Sequence, residues 1–150
     1  MKLTKNIAVI VVIATQFTAS YSNAGTIPAG TTLTITLVTP VTSKDVAGRS
    51  FEAQIAQDIS IKGSVALKAG TKAFGKITSS RYDPRRNEPL TVELTSLLVN
   101  GRNIAVRTNT VEPSSPIRTA RQARYGHTAG TLTVPPGIRM QFQLLQPVTL

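Results

Sequence analysis

The chain is predicted to be all-β: a single small β-barrel, or a barrel-like sandwich, of about seven or eight mainly antiparallel strands. Three observations predict this class. Apolar residues alternate with polar ones along most of the chain after residue 25, and many of the polar ones are β-branched threonines. Turn-forming residues interrupt these runs at short intervals. No long stretch has the 3.6-residue apolar period of a helix.

Seven segments carry the alternation. They are 31–37 (TTLTITL), 50–57 (SFEAQIAQ), 59–67 (ISIKGSVAL), 71–80 (TKAFGKITSS), 90–99 (LTVELTSLLV), 102–108 (RNIAVRT) and 138–145 (IRMQFQLL). Segment 59–67 is expected to be a hairpin that turns at Lys62-Gly63. Asn100-Gly101 is expected to form a type I′ turn, since both residues tolerate the positive φ that this turn requires.

Residues 1–24 have the pattern of a cleaved signal peptide. Lys2 and Lys5 precede an apolar run, residues 7–14, and the small residues Ser22 and Ala24 then predict cleavage near Ala24. An uncleaved anchor is the alternative, but the run is shorter than the ~20 residues that span a bilayer. The chain has no cysteine, which excludes disulfides and a lipid-modified cysteine. A single domain, residues 25–150, is expected to remain.

The formal net charge of +10 is strongly basic. It remains clearly positive when Lys2 and Lys5 are removed with the signal peptide. Such a charge favours polyanionic neighbours, among them lipid headgroups, envelope polymers and nucleic acid. It also serves solubility alone, which is the simpler interpretation. An exported location argues against a nucleic-acid partner.

A short motif occurs twice in clear form and once more weakly. It reads IPAGT at residues 27–31, VPPGI at 134–138 and LKAGT at 67–71, each before an alternating run. Proline presets φ and glycine supplies the positive φ of a type II turn, so Gly30, Gly70 and Gly137, like Gly101, are predicted as structural turn residues. The first and last copies also match after their strands (LVTPVTS and LLQPVTL). We therefore predict a duplicated structural element whose two long strands lie together and help close the barrel.

These turns and strands resemble the C-terminal β-barrel domain of TrbI-like conjugal-transfer proteins, which are core components of type IV secretion channels. The resemblance covers most of residues 26–150 through turn residues and alternation. The residues that carry it are Gly30-Thr31, Ser43, Gly48, Asp58-Ile59, Gly63, Lys68, Gly70-Thr71 and Gly75. It implies a barrel fold, envelope partners and ring-forming relatives. The closer match is to small, stand-alone exported proteins with this barrel.

The chain differs from the channel proteins at about residues 112–131. Channel members insert an apolar helical pair there, which crosses the outer membrane. This chain has a polar, basic stretch that lacks such apolar residues, and we interpret it as a flexible basic insert. A pore role is therefore not expected.

The candidate chemistry is sparse. His127 is the only histidine, so no metal site and no cofactor are expected. A hydrolase would have to use dispersed carboxylates, namely Glu52, Asp58, Asp83, Glu88 and Glu93. No catalytic residue is therefore assigned.

Basic and aromatic residues are grouped in two loops, where arginine beside an aromatic ring can hold phosphate or stack on a sugar. One group is Arg81, Tyr82, Arg85 and Arg86, and the other is Arg118, Arg121, Arg124 and Tyr125. They are the candidate anion- or partner-binding residues, provided that both loops project from the same end of the barrel. Solvated arginines without a specific role are the alternative.

The sequence thus predicts a periplasmic or secreted bacterial module that binds or assembles and does not catalyse. Its expected partner is an envelope protein, an anionic envelope polymer or a lipid surface, and homo-oligomerisation stays open. Two alternatives remain: a cell-wall polysaccharide or peptidoglycan hydrolase that uses loop carboxylates, and a component of a conjugal or type IV secretion assembly.

Overall fold

The computed structural model describes residues 25–80, 89–113 and 132–150, and the predicted signal peptide lies outside them. These residues form strands and turns without a helix, which confirms the all-β prediction. No helix in this part of the chain has the length and hydropathy to cross a membrane.

Six strands form one curled antiparallel sheet in the order β11-β2-β4-β7-β8-β9. Their bounds are β2 (Thr32–Leu37), β4 (Ser50–Ile55), β7 (Lys72–Ser79), β8 (Thr91–Val99), β9 (Arg102–Ala105) and β11 (Arg139–Gln143). Each corresponds to a segment that alternation predicted. The observed pattern of β4, in which Phe51, Ala53 and Ile55 are buried and Gln54 is exposed, is the predicted one.

Six shorter strands pair outside this sheet, so the described part of the chain has more strands than the seven or eight predicted. They are β1 (Thr26–Ile27), β3 (Val41–Thr42), β5 (Ile59–Ile61), β6 (Ser64–Leu67), β10 (Thr133–Val134) and β12 (Val148–Thr149). The pairs are β1–β12, β3–β10 and β5–β6, all antiparallel. The β5–β6 pair is the hairpin predicted at residues 59–67, whereas the other four strands have two residues each and are too short to show a period.

Residues 106–111 connect the two edges of the curled sheet. On one side Val92 and Val111 exchange backbone hydrogen bonds of 2.9 and 2.8 Å. On the other side Thr108 bridges to Leu144, and the Leu145 N–H donates to the Arg107 carbonyl at 2.9 Å. The segment thus joins the β8 side to the β11 side and satisfies edge groups that a free sheet would leave exposed.

Apolar side chains from the long strands, the short strands and the adjoining segments form one buried core. The largest fully buried ones are Phe142, Ile27, Leu33, Ile35, Leu37, Ile55, Leu67, Ile77, Leu90, Leu94, Leu97 and Leu144. Gly75 contributes to this packing by having no side chain, because the Phe51 ring occupies the place where a Cβ would lie. The inner side of the barrel is therefore a packed core.

The two copies of the repeated motif pair with each other. We call residues 25–43 the N-terminal element and residues 132–150 the C-terminal element. Strand β2 of the former pairs with β11 of the latter in an unbroken antiparallel register from Thr36–Arg139 to Thr32–Gln143. The prediction that the first and last long strands lie together is confirmed.

Four turns make the same pair of hydrogen bonds. In each, the glycine N–H donates to the carbonyl of a residue at or near the end of a neighbouring strand, and that residue's N–H donates to the carbonyl of the residue after the glycine. The four glycines are Gly30, Gly48, Gly70 and Gly137, with φ of 86°, 92°, 85° and 91°, and their partners are Leu144, Ile77, Ile55 and Leu37. Positive φ is what lets the chain swing into the next strand, and glycine adopts it without strain.

Both predicted hairpins form, and they differ at one position. Asn100 has φ 49° and Lys62 has φ 51° before their glycines, which have φ 76° and 81°. Asparagine tolerates this left-handed region, whereas a lysine there costs about 1 kcal/mol. Lys62→Asn is therefore expected to raise the free energy of unfolding by about 0.5–1 kcal/mol, measured by urea denaturation.

Lys68→Asn is the matched control. It removes the same charge from a turn residue that is not among the described positive-φ residues. No gain is expected from it. Equal gains from both substitutions would show that charge, and not backbone strain, is responsible.

Candidate interaction surface

The residues singled out from the sequence for binding all lie outside the described residues. They belong to segments 81–88 (Arg81, Tyr82, Arg85, Arg86) and 114–131 (Arg118, Arg121, Arg124, Tyr125). His127 is outside as well, together with Asp83 and Glu88. The predicted turn residues Gly30, Gly70, Gly101 and Gly137 are described, and each has a positive φ.

The described residues show where these two segments join the barrel. Segment 81–88 connects the end of β7 to the start of β8, and here the Ser79 hydroxyl donates to the Pro89 carbonyl at 2.5 Å. Segment 114–131 begins after Pro113, close to the same strand start, because Val111 pairs with Val92 near the beginning of β8. Both segments therefore leave from neighbouring points.

The far end of segment 114–131 returns to the same side of the barrel. The Leu132 N–H donates to the Ser43 hydroxyl at 3.0 Å, and the Ser43 N–H donates to the Leu132 carbonyl at 2.8 Å. Ser43 opens the turn that leads into β4, and β4 begins beside the end of β7. All four points of attachment thus lie at one end of the barrel, which we call the loop end.

The turn at residues 43–49 supplies the described surface of the loop end. Asp45 accepts a hydrogen bond from the Thr42 N–H at 2.7 Å and forms an ion pair with Arg49. The Asp45 carboxylate thereby fixes the turn. Val46 is 56% exposed at its tip, a large exposure for an aliphatic side chain next to charged residues. Val46 was not predicted as a surface residue, although its place between Asp45 and Gly48 indicates an exposed turn.

Four of the carboxylates in the described part of the chain have structural partners. Besides Asp45, Glu52 pairs with Lys72 and Glu93 with Lys76, each at 3.1 Å across neighbouring strands. Asp58 accepts a hydrogen bond from the Ala69 N–H at 2.7 Å and so ties the β4–β5 connection to the Gly70 turn. Such carboxylates stabilise strand pairing and turns.

Metal-binding side chains are also dispersed in the described ranges. No group of three or more His, Cys, Asp or Glu residues lies close enough to hold an ion among residues 25–80, 89–113 and 132–150. The surface that the structure does describe is thus one of turns, ion pairs and single exposed aliphatic residues.

Comparisons with known proteins add one partial likeness. No protein-family model matches the chain, and no curated protein matches it. A solved structure, ComB10 of the Com type IV secretion system of Helicobacter pylori, is 26% identical with a TM-score of 0.43. The match covers 57% of this chain and 44% of that one, so the chain spans less than half the length of that structure. The chain is thus similar over part of its length to a type IV secretion protein.

Proposed function

We propose that residues 25–150 form an exported binding module of the bacterial cell envelope, which acts through the loop end and catalyses no reaction. The observation that carries the proposal is that both arginine-rich segments join the barrel at this one end. Between them the two segments carry six arginines: Arg81, Arg85, Arg86, Arg118, Arg121 and Arg124. A local excess of guanidinium groups favours phosphate-bearing polymers and lipid headgroups.

The packed barrel interior supports a binding role. Among the described residues, apolar side chains fill most of the interior, and the carboxylates near the surface hold turns and strand pairs. Binding through tethered loops on a rigid barrel is a common use of such scaffolds. The barrel then serves to position the two segments.

The test compares two triple variants of the purified chain in binding to vesicles of phosphatidylglycerol and phosphatidylcholine. One variant replaces Arg118, Arg121 and Arg124 with glutamine. The control replaces Lys62, Lys68 and Arg102 with glutamine and removes the same charge. Lys62 and Lys68 lie in turns and Arg102 begins β9, all at the opposite end of the barrel. We expect the first to weaken binding about a hundredfold and to lower its salt dependence, since each of the three lost contacts near an anionic surface costs about 1 kcal/mol.

Equal losses from the two variants would contradict a role for the loop end, because they would show a response to net charge alone. Release of sugar or peptide from cell-wall material by the wild type, abolished by Glu88→Gln, would instead support the hydrolase. If both variants bind the vesicles as well as the wild type does, the remaining partner is an envelope protein.

Membership of a conjugal or type IV secretion assembly is the second candidate. It is supported by the resemblance of the turn residues Gly30-Thr31, Gly48 and Gly70-Thr71 to those of TrbI-like barrels. In that case crosslinking in intact cells is expected to join the loop end to channel proteins. Crosslinks to lipid or polysaccharide alone would contradict it.

A further inference from the structure

The N-terminal and C-terminal elements are related by a local two-fold axis. The backbone hydrogen bonds at their turns and ends have counterparts in the opposite direction. Thus the Gly30 N–H donates to Leu144 at 2.7 Å, and the equivalent Gly137 N–H donates to Leu37 at 2.8 Å. The pairings β1–β12 and β3–β10 are counterparts in the same way.

The axis passes through one residue pair, Thr34 and Gln141, which stand at the middle of β2 and β11 and face each other. Leu37 donates to the Ile138 carbonyl, so hydrogen-bonded pairs fall at every second position from there. The Thr34–Gln141 pair therefore belongs to the closer, non-hydrogen-bonded class, with about 4.5 Å between Cα atoms.

The C-terminal element is bound to the rest of the barrel through a limited set of strands. It pairs with the N-terminal element and with residues 107–109, where the Asn109 N–H donates to the Gln143 carbonyl at 3.1 Å. Its own core residues are Val134, Met140, Phe142, Leu144 and Val148. All of these contacts are available in the same form on any copy of the chain.

The connection to this element is long. Segment 114–131 can span about 60 Å when extended, at 3.3–3.6 Å per residue, so its length does not determine which molecule receives the element. At this chain length the effective concentration of the tethered element is in the millimolar range.

We propose that the C-terminal element docks onto the N-terminal element of a second copy of the chain, so that two chains exchange their last strands and form a closed dimer. Every hydrogen bond and core contact between the C-terminal element and the rest of the barrel is then made twice, each time between the two chains. Because the exchange is reciprocal, it closes after two molecules and does not continue into a fibre. The dimer is expected to become appreciable as the chain concentration approaches the millimolar range.

The chain has no native cysteine, which permits a direct test. Chains with Thr34→Cys alone are mixed with chains with Gln141→Cys alone, unfolded in denaturant, refolded together and oxidised. A disulfide between the two variants forms efficiently only when the strands of different molecules lie side by side. The control mixture pairs Thr34→Cys with Asn103→Cys, an exposed position on β9 at the other edge of the sheet.

Non-reducing gel electrophoresis then measures covalent dimer at chain concentrations of about 10 μM and about 1 mM. At the higher concentration we expect the Thr34–Gln141 mixture to give about tenfold more dimer than the control mixture. At the lower concentration the dimer yields of the two mixtures should become similar. A chain that carries both substitutions confirms that the pair can form a disulfide within one molecule. Dimer yields equal to those of the control at both concentrations would overturn the proposal.

Discussion

Gly75→Ala is expected to lower the free energy of unfolding by about 3 kcal/mol or more. A Cβ at this position would lie 2.2 Å from Phe51 Cζ and 2.5 Å from the Glu93 carbonyl oxygen. The aromatic ring can tilt, but the carbonyl belongs to β8, which is held on both sides by the sheet. Relief therefore requires a shift of the backbone, at a position where the β7–β8 register is already irregular. The midpoint of guanidinium denaturation measures the loss.

Gly101→Ala is the matched control for this substitution. A Cβ there meets nothing within 4 Å, and only the positive φ of 76° opposes it. We expect it to cost about 1 kcal/mol. A second variant, Gly75→Ala with Phe51→Leu, removes the ring and leaves the carbonyl, so it should recover part of the loss. Equal losses from Gly75→Ala and Gly101→Ala would contradict the steric explanation.

Phe142→Ala is expected to destabilise the chain by about 3–5 kcal/mol. The ring is 1% exposed in the middle of β11, opposite Leu33 of β2. Its removal leaves a cavity between the two repeated elements, which pack against each other at this point. Because a domain of this size has roughly 5–15 kcal/mol of stability, one such substitution can populate the unfolded state. Thermal and urea denaturation measure the effect.

Two variants of β11 separate core packing from strand pairing. Gln141→Ala changes the exposed neighbour and should cost less than about 0.5 kcal/mol. Phe142→Ile places at this position the residue that the repeat has at Ile35, and should cost less than about half of the alanine substitution. Equal losses of unfolding free energy from Phe142→Ala and Gln141→Ala would contradict a contribution of the buried ring to stability.

Much of the fold could be read from local patterns. Alternation placed the six long strands, and Lys62-Gly63 and Asn100-Gly101 marked the two hairpins. The fourth turn of the common type, at Gly48, was not recognised as a copy of the motif because its sequence, DVAGR at residues 45–49, lacks both the leading apolar residue and the proline. The turn at Gly48 nevertheless makes the same hydrogen bonds, because they depend on the glycine φ and on backbone groups. The side chains that precede the glycine take no part in them.

The sequence predicted which residue types make up the candidate site but not where they lie on the barrel. Arginine and tyrosine mark segments 81–88 and 114–131, but no sequence pattern states where such segments sit on a barrel. That both join the loop end follows from the Val92–Val111 and Ser43–Leu132 pairings. These pairings connect distant parts of the chain, and their residues lack any distinguishing local signal.

The sequence by itself determined the β-class, the positions of the turns and the equivalence of the two repeated elements, because these depend on residues within a few positions of one another. Tertiary structure alone decided the partner of each strand and the two-fold relation between the elements. The Gln143 side chain, for example, donates to the Gly30 carbonyl at 3.2 Å across 113 positions of chain. Such pairs are selected by burial of the shared apolar core, Leu33 against Phe142 and Ile35 against Met140, and that selection exists only when the whole sheet has formed.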